Sequence, residues 1–149
     1  SSSREKGKNL DKLARKYLKQ VNKNFDHGTG HGVGSFLNVH EGPQVISPNG
    51  SVNFKHGMIV SNEPGYYKKN NYGIRIENLI LAKVANNILK FETITFAPLE
   101  KLLIDHELLS REEIKWIDDY HLKVRKYLLP FMSDKQSIWL KEETEKIIH

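Results

Sequence analysis

Three histidines, His27, His31 and His40, fall within a fourteen-residue stretch punctuated by Gly28, Gly30, Gly32 and Gly34. Glycine lets backbone approach a bound group closely, and neutral imidazole is the commonest metal ligand. His27 and His31 have the spacing of a helical zinc pair, yet so many glycines rule out a stable helix, and the two rings need not share a role. Two acids stand further along. Glu63 closes the apolar run that contains Ile59 and Val60, just before Pro64-Gly65, and Glu77 interrupts the run Ile74, Ile76, Leu79 and Ile80. A lone buried carboxylate costs several kcal/mol unless it is paired or metal-bound. One outlet is a cation: Arg75 lies two residues from Glu77 and would share its strand face. The other is a carboxylate-rich metal site of His31, Glu63 and Glu77, suited to Mn, Zn, Co or Fe. Few other acids lie nearby for a second ion. A dinucleotide fingerprint fails, because Val33 or Ser35 stands where glycine is required, and no Lys-Ser or Lys-Thr follows the glycines to make a phosphate loop. The chain has no Cys, which removes thiolate metal sites, disulfide scaffolds and Cys nucleophiles.

These side chains need elements to hold them. Leu10, Leu13, Tyr17, Leu18 and Val21 recur at helical spacing and predict a helix over about Leu10 to Val21, with lysines on its polar face. Phe36 to Val39 reads as a short strand, and Met58 to Asn62 as a strand ended by the turn Glu63-Pro64-Gly65. Gly73 to Val84 reads as one long strand or a bulged pair, followed by an Asn86-Asn87 turn and a hairpin partner over Ile88 to Phe96. Ser110 with Glu113 forms a capping box that opens a helix to about Leu129, its buried stripe being Trp116, Ile117, Tyr120, Val124, Tyr127 and Leu128. Asp134 caps a last helix that includes Ile138, Trp139, Leu140, Ile147 and Ile148. Tyr66 and Tyr67 either line a pocket or pack, Trp116 and Trp139 belong to core or interface, and His56, His106 and His121 read as surface or capping groups.

A length of 149 residues suits one domain, and 38% hydrophobic content excludes wholesale disorder. No apolar run approaches the roughly 20 residues that span a bilayer, and no secretory leader is visible, so a soluble intracellular protein without membrane contact is expected. The net charge is +5, but Ser1 to Asn24 holds eight Lys or Arg against Glu5 and Asp11, leaving the remainder at −1. A charge excess confined to one helix reads as a solvated face, which argues against nucleic acid as a partner.

Four motifs then occur in order: His27-Gly-Thr-Gly-His31-Gly-Val-Gly, Val39-His40-Glu41-Gly42-Pro43, Asn62-Glu63-Pro64-Gly65-Tyr66-Tyr67, and Gly73-Ile74-Arg75-Ile76-Glu77-Asn78. The series resembles that of aminopeptidase P, the Xaa-Pro aminopeptidase of the pita-bread metallopeptidases, and the stretch from Phe96 through Trp139-Leu140 resembles its long eukaryotic cytosolic form. The resemblance implies an α+β chain, the C-terminal portion of the pita-bread (creatinase/aminopeptidase) fold, with an antiparallel curved sheet flanked by helices. It implies a polar segment over 1–9, the C-terminal half of the catalytic domain over 10–98, and a helical tail over 99–149. By the same resemblance His31, Glu63 and Glu77 are metal ligands, with Glu77 bridging two divalent ions, usually Mn, with Zn or Co as alternatives. Glu63 also takes a proton from the attacking water. His27 and His40 bind substrate and shuttle protons, and Arg75 steadies a ligand carboxylate. The activity implied is removal of the N-terminal residue from peptides with proline second, in a cytoplasmic enzyme that is a homodimer at full length. Two aspartates and a further histidine of the family site lie upstream of the histidine motif, where this chain offers only Asp11 and Asp26. The metal site is therefore expected to be incomplete and the chain alone inactive. The alternatives are a prolidase or methionine-aminopeptidase type of pita-bread enzyme, and a non-catalytic pita-bread binding module.

Overall fold

In the computed structural model, which describes residues 5–36 and 38–147, backbone contacts divide the chain into two units, 1–95 and 96–149. Each is built separately from its own local signals.

The first unit opens with helix α1, Gly7–Gln20. Its inward face is the unexpected one. Gly7, Asp11 and Arg15, spaced four apart, are buried, whereas Leu13, Tyr17 and Val21 of the apolar stripe are mostly exposed. Gly7 explains the inversion: a Cβ there would lie 1.7 Å from the Val45 carbonyl oxygen, so only glycine lets α1 sit this close to Val45. The helix is thus seated by its smallest residue, and the polar pair one and two turns on is carried inside. Lys8, Lys12, Lys16, Lys19 and Lys23 face solvent, as a solvated charge run should.

Strands β1 (Gly30–His31) and β2 (Val45–Ile46) pair antiparallel. Between them Phe36 to Val39 forms no strand among the described residues, Leu37 lying outside them. The Gly34 N–H donates to the Asn38 carbonyl and closes a turn there instead. A three-stranded antiparallel sheet follows, ordered β3-β6-β7, from β3 (Ile59–Asn62), β6 (Asn78–Ala85) and β7 (Ile88–Thr93). The β6–β7 turn is the Asn86-Asn87 pair, with φ of 49° and 58°, a left-handed geometry asparagine tolerates. Ile46, Phe54, Val60, Ile80, Ala82 and Leu89 form the core.

The expected single strand from Gly73 to Val84 is divided. β5 (Tyr72–Arg75) pairs with β4 (Gly65–Lys68), while β6 pairs with β3. The chain also does not stop at Glu63-Pro64-Gly65 but resumes as β4, a strand the turn signature hid. Asn62 faces Asn78 and Gly65 faces Arg75, so one register runs through both hairpin segments. It sets Glu63 opposite Glu77 and Pro64 opposite Ile76. Pro64 has no N–H to give the ladder, and its carbonyl accepts only a long bond of 3.4 Å from the Ile76 N–H. The break in the ribbon therefore falls where the two acids meet.

The second unit follows its capping signals. Helix α2 spans Arg111–Leu128, with Ser110 and Glu113 forming both bonds of the capping box. Helix α3 spans Asp134–Glu143. Its cap is Ser133, whose N–H donates to Gln136, rather than Asp134. Ile147 lies beyond the helix, its N–H bonded to the Asp118 carboxylate, and Ile148 is outside the described residues. Tyr120, Val124 and Leu140 form the core with Phe96, Leu99 and Met132 around them. Trp116 and Tyr127, read as part of the buried stripe, are about half exposed, as is Trp139, read as core or interface. His121, read as a surface group, is instead fully buried and accepts the Leu99 N–H at 3.0 Å. No described helix is long and apolar enough to cross a membrane.

Candidate metal centre

Three short-range constraints build the centre. Gly30 comes first: a Cβ there would fall 1.9 Å from the Ser61 carbonyl oxygen, so glycine alone lets β1 lie against β3. His31 is then fixed by its own N–H, donated to the Ser61 hydroxyl at 2.9 Å. The Glu63 N–H donates to the Thr29 carbonyl at 2.8 Å, tying the strand end to the same segment. The register supplies the third constraint by setting Glu77 across from Glu63.

The outcome is a cluster in which one ligand atom each from His31, Glu63 and Glu77 lies within 4.8 Å of the other two. It is the single His/Asp/Glu grouping of three or more among the described residues that could hold a metal ion. His31 Nδ1 lies 3.1 Å from the Gly32 carbonyl oxygen, which can only accept, so the proton belongs on Nδ1. That leaves the Nε2 lone pair available, with Nε2 3.8 Å from the Glu63 carboxylate. Glu63 is 12% exposed at its side chain. Burial first, and then the charge and hydrogen bonding of Glu77, push its carboxyl above the ordinary carboxylate range, with His31 and Arg75 opposing. Like charges directly opposed across strands destabilise a sheet, and a divalent cation relieves that repulsion. Two carboxylates and one neutral imidazole are an appropriate donor set for such an ion.

The other predicted site residues group around this cluster in two ways. The His40 ring lies edge-on to the His31 ring, centroids 4.2 Å apart. His27 belongs to a separate chain of bonds. The Arg75 Nε–H donates to the Tyr67 hydroxyl at 2.7 Å, Tyr67 lies 2.8 Å from His27 Nε2, and His27 Nδ1 lies 2.7 Å from the Gly28 carbonyl. Since that carbonyl must accept, neutral His27 carries its proton on Nδ1, and Tyr67 donates to Nε2. Arg75 binds Tyr67 rather than closing an ion pair with Glu77, although its charge still acts on both acids. Tyr67 thus has a polar role that its place after Pro64-Gly65 left undecided. Alternation was the available signal: once β4 is recognised, Gly65 and Tyr67 share one face, paired with Arg75 and Gly73. Asp11 and Arg15 were hidden by the apolar stripe beside them. Their signal was an acid and a base four apart, in phase with Gly7.

The site is thus a histidine and two opposed acids at a strand break of an antiparallel α+β chain. The profile of metallopeptidase family M24 matches residues 3–83, and that of the C-terminal region of peptidase M24 matches residues 87–147. The chain belongs to metallopeptidase family M24, and its fold is the C-terminal part of the pita-bread fold. Among its relatives, the probable Xaa-Pro aminopeptidase P of Coprinopsis cinerea is 47% identical over 93% of this chain and 24% of its own length. Xaa-Pro aminopeptidase 1 of Dictyostelium discoideum is 44% identical over 97% of this chain and 25% of its own. The X-prolyl aminopeptidase of Caenorhabditis elegans, described as a cytosolic enzyme with a di-nuclear active site, superposes with a TM-score of 0.88 at 36% identity, covering 99% of this chain and 26% of that one. The Xaa-Pro dipeptidase of Bacillus anthracis reaches 0.57 at 32% identity, covering 67% of this chain and 27% of that one. The chain therefore spans about a quarter of the length of the relatives it matches.

Proposed function

We propose that this chain contributes His31, Glu63 and Glu77 as metal ligands to an Xaa-Pro aminopeptidase, which removes the first residue of a peptide whose second residue is proline. The observation that carries the reading is the facing of Glu63 and Glu77 at the strand break, with a His31 ring nitrogen within 4.8 Å of both acids. Divalent ions, Mn in preference to Zn or Co, would polarise the scissile carbonyl and acidify the attacking water. Glu63, where the two acids face each other, accepts the water proton on a carboxylate oxygen. His40 stands beside His31, where it can face the substrate and return a proton to the leaving imino nitrogen. The Arg75–Tyr67–His27 chain holds the His27 ring in one orientation, and the Arg75 charge favours the ionised form of Glu63. Three ligands are too few for a two-ion centre, so turnover is assigned to the whole protein, with the remaining ligands supplied from outside this chain. That protein is read as a cytosolic homodimer.

The choice of aminopeptidase over prolidase rests on relatives named Xaa-Pro aminopeptidase that match 93% and 97% of this chain at 47% and 44% identity, and on the nematode X-prolyl aminopeptidase, whose match covers 99% of it. The test is hydrolysis by the Mn-loaded whole protein of an Xaa-Pro-Xaa tripeptide against an Xaa-Pro dipeptide. Release of the first residue from the tripeptide is expected. Cleavage confined to the dipeptide would make it a prolidase, and cleavage of neither would leave a binding module.

A further inference from the structure

A buried ion pair outside the metal cluster reaches the backbone of two site residues at once, His27 directly and Glu63 through Thr29. Asp11 and Arg15 on α1 are 3% and 5% exposed. Arg15 Nε donates to both Asp11 oxygens, at 2.9 and 3.0 Å. Its remaining nitrogens reach forward: Nη1 donates to the Asn24 side chain at 2.8 Å and the Phe25 carbonyl at 2.6 Å, and Nη2 donates to the His27 carbonyl at 2.7 Å. The guanidinium also lies 3.9 Å from the centre of the Phe25 ring, whose centroid is 4.8 Å from that of His27. Arg15 therefore grips His27 by its carbonyl and, through Phe25, by its ring.

Asp11 reaches the other side of the site. Its Oδ1 accepts the hydroxyl of fully buried Thr29 at 2.7 Å, and the Thr29 carbonyl accepts the Glu63 N–H. Two residues beyond Thr29 stands His31. Burying a charge pair is a poor route to stability, since well-packed apolar residues serve as well or better. What a planar guanidinium supplies that they do not is a set of donors at fixed angles. We infer that Asp11 and Arg15 are positioning residues for the metal centre: Arg15 sets the His27 loop, and Asp11, through Thr29, sets the end of the Glu63 strand. This rests on the proposal that Glu63 and His31 bind an ion, but its test does not need turnover.

Two variants of the full chain separate the two arms, read by NMR without metal and then with Mn. Arg15→Lys keeps the charge beside Asp11 and loses the fork. The His27 ring resonances should shift, and the ring contact between Phe25 and His27 should be lost. Thr29→Val keeps the volume and deletes only the hydroxyl bond to Asp11. Exchange of the Glu63 amide should accelerate about tenfold, while the Ala82 amide, bonded to Met58 in the core at 2.8 Å, exchanges as before. The His27 ring should not move in this variant, and Mn affinity should drop several-fold. A purely structural pair would give a different pattern: Glu63 and Ala82 amides accelerating together, with the His27 signals of the folded chain unchanged in Arg15→Lys. That result overturns the inference. If Arg15→Lys does not fold, Thr29→Val decides alone, through the ratio of the two amides. Failure of the unaltered chain to bind Mn is consistent with an incomplete ligand set, and the amide ratio and the His27 signals then decide by themselves.

Discussion

If Glu63 and Glu77 face each other to share a cation, removing one charge should stabilise the metal-free chain and at the same time impair its response to metal. Glu77→Gln is the cleanest perturbation, because it keeps volume and deletes only charge. With their ligand atoms within 4.8 Å, two unit charges repel by at least about 3.5 kcal/mol at an effective dielectric of about 20. Glu77 is exposed, so solvent reduces this to the range of about 0.5–1 kcal/mol typical of cross-strand pairs. For a unit of this size that raises the melting temperature by roughly 3–6 °C. In EDTA near neutral pH the variant should therefore melt above the unaltered chain. Mn at ten times its dissociation constant should then add about 1.4 kcal/mol to the unaltered chain and much less to Glu77→Gln, so the order narrows or reverses. Acidity gives an internal check. The Glu63 carboxyl is raised in the fold, so its protonated form is favoured there. That stabilisation is fully present below the ordinary carboxylate value of 4.5 and is lost as pH rises through the raised one. The advantage of Glu77→Gln should accordingly shrink as pH falls toward 4.5. Scanning fluorimetry with EDTA and with Mn at several pH values measures all of this. A variant that melts lower than its parent in EDTA, with equal Mn gains in both, would refute the opposed-carboxylate reasoning.

Three other outcomes are expected. Calorimetry of the 149-residue chain should show weak uptake of Mn, because three protein ligands leave a two-ion centre short; tight binding of two ions would contradict the incomplete set. Ser110→Ala removes one half of the capping box on α2 and should cost about 1 kcal/mol, read as a lower urea midpoint for the helical unit. His121 is held below its ordinary value of 6.5, by burial first and then by Lys101 and Arg125, with Asp118 opposing. Its contribution is therefore present above 6.5 and lost as pH falls through the lower folded value. The α2 amides should lose exchange protection over that range, and retention of full protection well below it would show the ring to be charged in place.

What the sequence determined is what local chemistry determines. The Ser110–Glu113 box, the Asn86-Asn87 turn and the glycines that keep His31 off a helix each act within a few residues. The motif series around His31, Glu63 and Glu77 was legible for the same reason, since residue type and spacing carry it. Everything that depends on which segment lies alongside which was decided by the tertiary structure. Periodicity counts apolar residues, so it gave α1 an apolar inner face, whereas the close approach allowed by Gly7 turned Asp11 and Arg15 inward. It read Gly73 to Val84 as one strand, whereas Pro64 on the opposite strand interrupts the ladder there. The register on either side of that interruption, invisible from either strand alone, is what sets Glu63 against Glu77, because pairing register belongs to two strands jointly.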